Sequence, residues 1–241
     1  MKRKKTSIRK NVIVLTLFAI AMGYMESAVV VYLREIFYPA GFRFPLEPIS
    51  TDIALTEILR EAATLIMLMT AGILTGRTKH ERFGFFIYTF GIWDITYYLF
   101  LYLLLGWPGS LLTRDILFLI PVTWVGPVLG PVLNSLTMIV LALMISKFTS
   151  INAQTKIAGR EWVLLITGSL VVIISYTEDY VSFLLQMFSF TDLFKPSNLD
   201  ALMAYAAGYV PESFAWWIYI TGQLMLVAAL GLFWRRNERG R

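Results

Sequence analysis

Long apolar stretches alternate with short polar segments along the whole chain. Five stretches stay mostly apolar over about 20 residues, the length that a helix needs to cross a bilayer. A sixth apolar run, over residues 116–145, is interrupted by prolines. The pattern predicts an all-α integral membrane protein, folded as one domain over residues 1–241. Its six-helix transmembrane bundle has spans at about 12–33, 53–74, 84–105, 127–146, 162–183 and 214–234.

The fourth span is predicted to be broken by its prolines, Pro121, Pro127 and Pro131. Proline removes a backbone donor and clashes with the preceding turn, so a regular helix does not continue through it. We expect a short outer helical piece at about 115–120, an irregular link through Trp124, and a regular helix over 127–146. The alternative is one long, tilted and kinked helix, because proline also occurs in membrane helices.

A second feature at the outer side is the segment 184–212, which is too short to span. Ser197, Asn198 and Leu199 offer a helix start. Leu199, Met203 and Ala206 recur at helical spacing, and a glycine and a proline follow. The segment is therefore predicted to hold an interfacial helix that lies over the outer mouth of the bundle.

Lysine and arginine are concentrated in alternate connections, and cytoplasmic loops carry an excess of these residues. The distribution predicts that both termini are cytoplasmic, in a plasma membrane or a bacterial inner membrane. The net charge of +5 is therefore a signal of topology, and nucleic acid is not expected as a partner. The basic positions on the predicted cytoplasmic side are Lys2, Arg3, Lys4, Lys5, Arg9, Lys10, Arg77, Lys79, Arg82, Lys147, Lys156, Arg160, Arg235, Arg236, Arg239 and Arg241.

The composition excludes several classes of protein and of catalytic site. The chain is 57% hydrophobic and 15% charged, which excludes a disordered or an ordinary soluble protein. It has no cysteine and one histidine, His80, so thiolate catalysis, zinc protease sites and bis-histidine haem are excluded. No metal site or cofactor is predicted from a motif. An all-oxygen cluster remains, which suits a hard cation, an organic cation or protons.

Six carboxylates interrupt the predicted spans. A charged side chain in hydrocarbon is costly, so such residues normally face the interior of a bundle and mark a functional site. Most of them lie in the predicted outer half of the membrane. We therefore expect one polar chamber that is open to the outside and binds a ligand or an ion. Its candidate residues are Glu26, Glu57, Arg60, Glu61, Asp94, Glu178 and Asp179.

The second span places three of these side chains on one helical face. Glu57, Arg60 and Glu61 are three and four residues apart, so they project together. Arg60 can neutralise only one carboxylate, which leaves the other to find a cation, a proton or another helix. We expect Glu26, Glu61 and Asp94 to converge from the first three spans, with Arg60 within salt-bridge reach of at least one of them.

Several of the candidate residues also have a plain structural interpretation, whereas Glu26 and Asp94 interrupt long apolar runs and are hardest to explain in that way. Glu57 is near enough to water to be an ordinary helix-start residue. Arg60 with Glu61 is interpretable as a purely structural pair. The carboxylates Glu178 and Asp179 are simply solvated if the fifth span ends early.

Three functions fit the sequence. The first is binding or transport of a cation or a small amphiphile in the outward-facing acidic site. The second is an enzyme of the cyclase or isomerase type that acts on a lipid or isoprenoid, with Asp94 as the acid and Glu57 or Glu61 as the base. The third is an accessory subunit that contacts another membrane protein laterally. The lipid bilayer is a partner in all three.

Overall fold

The computed structural model describes residues 2–239, with side chains from residue 8 onward. Six of its helices are long and apolar enough to cross a membrane, so the number of long apolar helices predicted from the sequence is confirmed. Of the basic residues used for orientation, Arg241 and the side chains of residues 2–5 lie outside this description. The six helices are α1 (Lys2–Phe37), α2 (Thr51–Thr75), α3 (Lys79–Leu105), α4 (Leu129–Ile151), α5 (Gly159–Leu184) and α7 (Trp216–Arg239).

Local capping determines where several helices begin and end. The Ser50 hydroxyl accepts a hydrogen bond from the Ile53 backbone N–H at the start of α2, and Thr78 does the same for Glu81 in α3. Such caps satisfy backbone donors that have no partner within the helix. At the far end of α3, Gly106 takes a left-handed conformation with φ of 64°, which stops the helix.

Small residues allow the helices to approach closely. α3 is central and packs against α1, α2 and α4, while α7 packs mainly against α5. A Cβ atom added to Gly222 of α7 would lie 2.8 Å from the Gly168 carbonyl oxygen of α5. A Cβ atom added to Gly91 of α3 would likewise lie 2.8 Å from the Ser135 carbonyl oxygen of α4. Lipid gives helices no hydrophobic reason to associate, so this close packing supplies much of the attraction.

The connection between α3 and α4 differs from the helical piece expected at 115–120. It is an antiparallel hairpin of β1 (Arg114–Phe118) and β2 (Trp124–Pro127), in which Asp115 pairs with Gly126. Prolines interrupt any helix here, and the β-branched and aromatic residues around them favour strands. The two strands satisfy each other's backbone groups. A single kinked helix is likewise not observed, and α4 begins at Leu129, just after Pro127.

The segment after α5 contains the short helix α6 (Leu199–Ala206), at the position where the sequence predicted a helix start. Its Leu202 is buried, and the nearby Tyr209 is almost completely buried. The Thr51 hydroxyl at the start of α2 donates a 2.6 Å hydrogen bond to Asp200. α6 therefore closes over the end of the bundle where the hairpin lies. We call this end the cavity end, and the opposite end the basic end.

The α5–α7 contact yields a test of the packing. Gly222→Ala should lower the free energy of unfolding by about 1–3 kcal/mol, because its Cβ would overlap Gly168 and Val172. The measurement is unfolding by SDS titration in mixed micelles. Gly231→Ala, on the same helix with open space around it, is the matched control. It should be neutral or slightly stabilising, and equal losses for both variants would contradict this packing.

Candidate functional site

The cavity end contains a cavity of about 390 Å³. Its walls come from α1, α2, α3, the hairpin, α6 and the last turns of α5. The exposed residues Glu47 and Pro48 also line it, so it reaches the surface of the protein. Most of its lining side chains are apolar. This size and lining are typical of sites that hold small molecules.

Arg60 of α2 joins two carboxylates at the inner part of this cavity. It forms an ion pair with Glu26 of α1 and a second with Glu57, at 2.8 Å. The Thr64 hydroxyl also donates to Glu26, at 3.4 Å. All three ion-paired side chains are mostly buried. One guanidinium charge is therefore shared between two carboxylates.

Two further carboxylates line the same cavity without a cationic partner. Glu61, which is 8% exposed, accepts a 2.9 Å hydrogen bond from the Leu119 backbone N–H, at the tip of the hairpin. Asp94 of α3 accepts a 2.6 Å hydrogen bond from the Ser135 hydroxyl of α4. Within the described part of the chain, neither makes an ion pair.

These five residues, Glu26, Glu57, Arg60, Glu61 and Asp94, form what we call the deep group. The group contains four carboxylates and one guanidinium, so it is negative unless protons or a cation bind to it. Glu26, Glu61 and Asp94, which were expected to converge from the first three spans, line one cavity, and of these three only Glu26 is ion-paired with Arg60. Arg60 pairs with Glu57 and Glu26 and not with Glu61. Among the described residues, no three acidic or histidine side chains are arranged to hold a metal ion.

The structure places Glu178 and Asp179 outside this cavity. Glu178 is exposed, and Asp179 accepts a 2.5 Å hydrogen bond from the Tyr209 hydroxyl. Burial and the adjacent carboxylate raise the pKa of Tyr209. α5 instead lines the cavity with Tyr180 and Leu184. Adjacent helical residues differ by about 100° in direction, so the rotation of α5 separates these carboxylates from the deep group.

Other polar groups of the bundle interior form a separate network. The amide of Asn134 donates to the Tyr176 hydroxyl at 2.8 Å, and Gln223 donates to Thr137 at 2.6 Å. The Tyr219 hydroxyl donates to the Gly130 carbonyl oxygen at 2.9 Å. These bonds join α4 to α5 and α7. They stabilise the packing of those helices and contribute nothing to the lining of the cavity.

A buried ion pair that the sequence analysis missed lies nearer the cavity end. Arg34 of α1 donates from Nη2 to Oδ1 of Asp115 in β1 at 3.0 Å, and both side chains line the cavity. Asp115 is 1% exposed. Burial raises its pKa to about 6, although Arg34 acts in the opposite direction. The Arg34 guanidinium carbon also lies 3.8 Å from the centroid of the Trp107 ring and 4.6 Å from that of Phe42.

The energetic role of this pair can be tested by removing one or both charges. Arg34→Met leaves a buried carboxylate without its cation and should cost about 3–5 kcal/mol of unfolding free energy. The double variant Arg34→Met/Asp115→Leu should recover most of that loss, because well-packed apolar groups can replace a buried pair. SDS titration measures both. Lys195→Met, which removes an exposed ion pair with Asp192, is the control and should have little effect. A double variant as unstable as the single one would contradict this account.

Comparison with known protein families, with curated proteins and with solved structures gave no match.

Proposed function

We propose that the protein binds a small cationic amphiphile in the cavity and carries it into or across the membrane from the outer side. This rests on Glu61 and Asp94, since both line a mostly apolar cavity and neither has a cationic partner. A buried charge without a partner is costly, and a cation that enters the cavity removes that cost. The apolar walls would receive the hydrocarbon part of the same molecule.

An organic cation fits this cavity better than a bare metal ion. The carboxylates of the deep group are divided among separate partners: Arg60, a backbone N–H of the hairpin and a serine hydroxyl. A divalent cation such as Ca²⁺ needs six to eight oxygen ligands converging at about 2.3–2.6 Å. An ammonium group needs only a few acceptors, and its attached chain gains from the apolar lining. A cationic amphiphile is therefore the ligand class that can interact with both the carboxylates and the apolar lining of the cavity.

Binding of n-octylammonium is the direct test. The purified protein in nanodiscs of neutral lipid should bind it in isothermal titration calorimetry above the background of empty nanodiscs. Asp94→Asn or Glu61→Gln should weaken binding about tenfold or more, because each removes one of the two unpaired charges. n-Octanol, which has the same chain and no charge, should bind less tightly.

Glu178→Gln is the matched control for this experiment. It removes one carboxylate from α5 at an exposed position outside the cavity. Its affinity for n-octylammonium should equal that of the unaltered protein. If Glu178→Gln weakens binding as much as Asp94→Asn, the attraction is general surface electrostatics and the cavity is not the site.

The side of the membrane on which the cavity opens can be tested by labelling introduced cysteines. The sequence contains no cysteine, so only the introduced residue reacts. Gln186 and Gln154 are both exposed, the first at the cavity end and the second at the basic end. In intact cells, a membrane-impermeant maleimide should label the Gln186→Cys variant. It should label the Gln154→Cys variant only after the membrane is permeabilised. The reverse labelling pattern would place the cavity on the cytoplasmic side.

A further inference from the structure

We propose that the cavity has a second binding point at Arg34 and Asp115, and therefore takes a long ligand with two polar ends. One end is the ammonium group that the deep group receives. The other is a neutral group that presents a hydrogen-bond acceptor and a donor side by side, of which a primary amide is the simplest. This inference rests on the proposed function, because it extends the ligand class of the same cavity.

The Arg34–Asp115 pair is only half satisfied. Nη2 of Arg34 and Oδ1 of Asp115 bond to each other, but Nη1 and Oδ2 are buried and have no hydrogen-bond partner within the described chain. The Arg34 side chain is 9% exposed and that of Asp115 is 2% exposed. Buried polar groups in native proteins almost always have a partner, so two orphaned atoms in one ion pair need an explanation. Both residues line the cavity, where a ligand could supply the partners.

The chemistry of the two atoms selects the ligand group. Nη1 is a donor and requires an acceptor, whereas a carboxylate Oδ2 is an acceptor and requires a donor. A ligand carboxylate would be repelled by Asp115, and a ligand ammonium would be repelled by Arg34. The pair as a whole is neutral, so it favours neither sign of charge. A primary amide offers C=O to Arg34 and N–H to Asp115 without adding charge.

The position of the pair sets the length of the ligand. Glu61, which receives the ammonium group, is bound to the Leu119 N–H, four residues beyond Asp115, so the two points are at most roughly 13 Å apart at about 3.3 Å per extended residue. A similar spacing, roughly 12 Å at 1.5 Å per residue, separates Glu26 of the deep group from Arg34 along α1. Val30 and Leu33 line the cavity over this interval, so the surface between the two polar points is largely apolar. Tyr97 of α3 also lines the cavity.

A hydrocarbon chain suits this interval. An extended chain advances about 1.25 Å per bond, given carbon–carbon bonds of about 1.5 Å and bond angles near 111°. Roughly eight to ten bonds would join the two polar points. The inferred ligand is thus an amine and an amide linked by a medium-length apolar chain.

A series of ω-aminoalkanamides tests both the group and the length. Their affinities for the protein in neutral-lipid nanodiscs should be compared with those of n-alkylamines of equal chain length. At short lengths the two series should bind alike, because the amide does not reach Arg34 and Asp115. Near eight to ten bonds the amide should bind about tenfold more tightly than the matched alkylamine. Longer chains should lose part of this advantage.

The Arg34→Met/Asp115→Leu variant removes the second binding point without leaving a buried charge unpaired. The ratio of amide to alkylamine affinity should fall to about one in this variant. If the variant does not fold, the length dependence in the unaltered protein still decides the question.

The proposed function and the second binding point can be overturned separately. If alkylamines bind but no amide of any length binds more tightly than its matched alkylamine, the second binding point is wrong and the proposed function stands. If neither series binds, both are overturned. An advantage that persists undiminished in the double variant would also overturn the role of Arg34 and Asp115.

Discussion

Burial of charge among apolar helices is the constraint on which the cavity end depends. A carboxylate that faces hydrocarbon must find a partner, and Glu26, Glu61 and Asp94 each find one on another element of the fold. Arg60 joins α2 to α1 through Glu26, and Glu61 joins α2 to the hairpin. Asp94 joins α3 to α4 through Ser135. These bonds fix the positions of the elements that form the walls of the cavity.

The hairpin is the element that makes this arrangement possible. It inserts two short strands between α3 and α4, and their mutual pairing satisfies backbone groups that lie deep in the bundle. At its base Asp115 is bound to Arg34, and at its tip the Leu119 N–H is bound to Glu61. Its two ends therefore contact the two polar regions of the cavity. A ligand that breaks either contact would therefore also shift the hairpin.

At the basic end, the buried carboxylates are matched by arginines. Glu81 at the start of α3 is bound by Arg77 through two nitrogens, and Glu161 at the start of α5 is bound by Arg236 in the same way. Each acid has its own arginine, and a packed apolar cluster that includes Phe233 lies beside them. In the deep group, by contrast, four carboxylates accompany a single guanidinium. That contrast is the physical reason to assign binding to the cavity end.

The sequence predicted the spans and the meeting of Glu26, Glu61 and Asp94, because span length and the depth of a residue follow directly from chain position. It did not predict the hairpin, since apolar residues between prolines fit a broken helix as well as a pair of strands. The rotation of α5, which turns Glu178 away, depends on packing against α7. The pairing of Arg34 with Asp115 joins residues 81 positions apart, a separation that no local pattern encodes.

The most direct measurement is a crystallographic one on the protein with 8-bromooctylammonium, whose bromine gives an anomalous signal. We expect the ammonium group between Glu61 and Asp94, with the bromine along the apolar wall of the cavity toward Arg34. A bromine peak confined to the lipid-facing surface, with the cavity holding only water, would contradict the central claim that the deep group is a binding site for a cationic amphiphile.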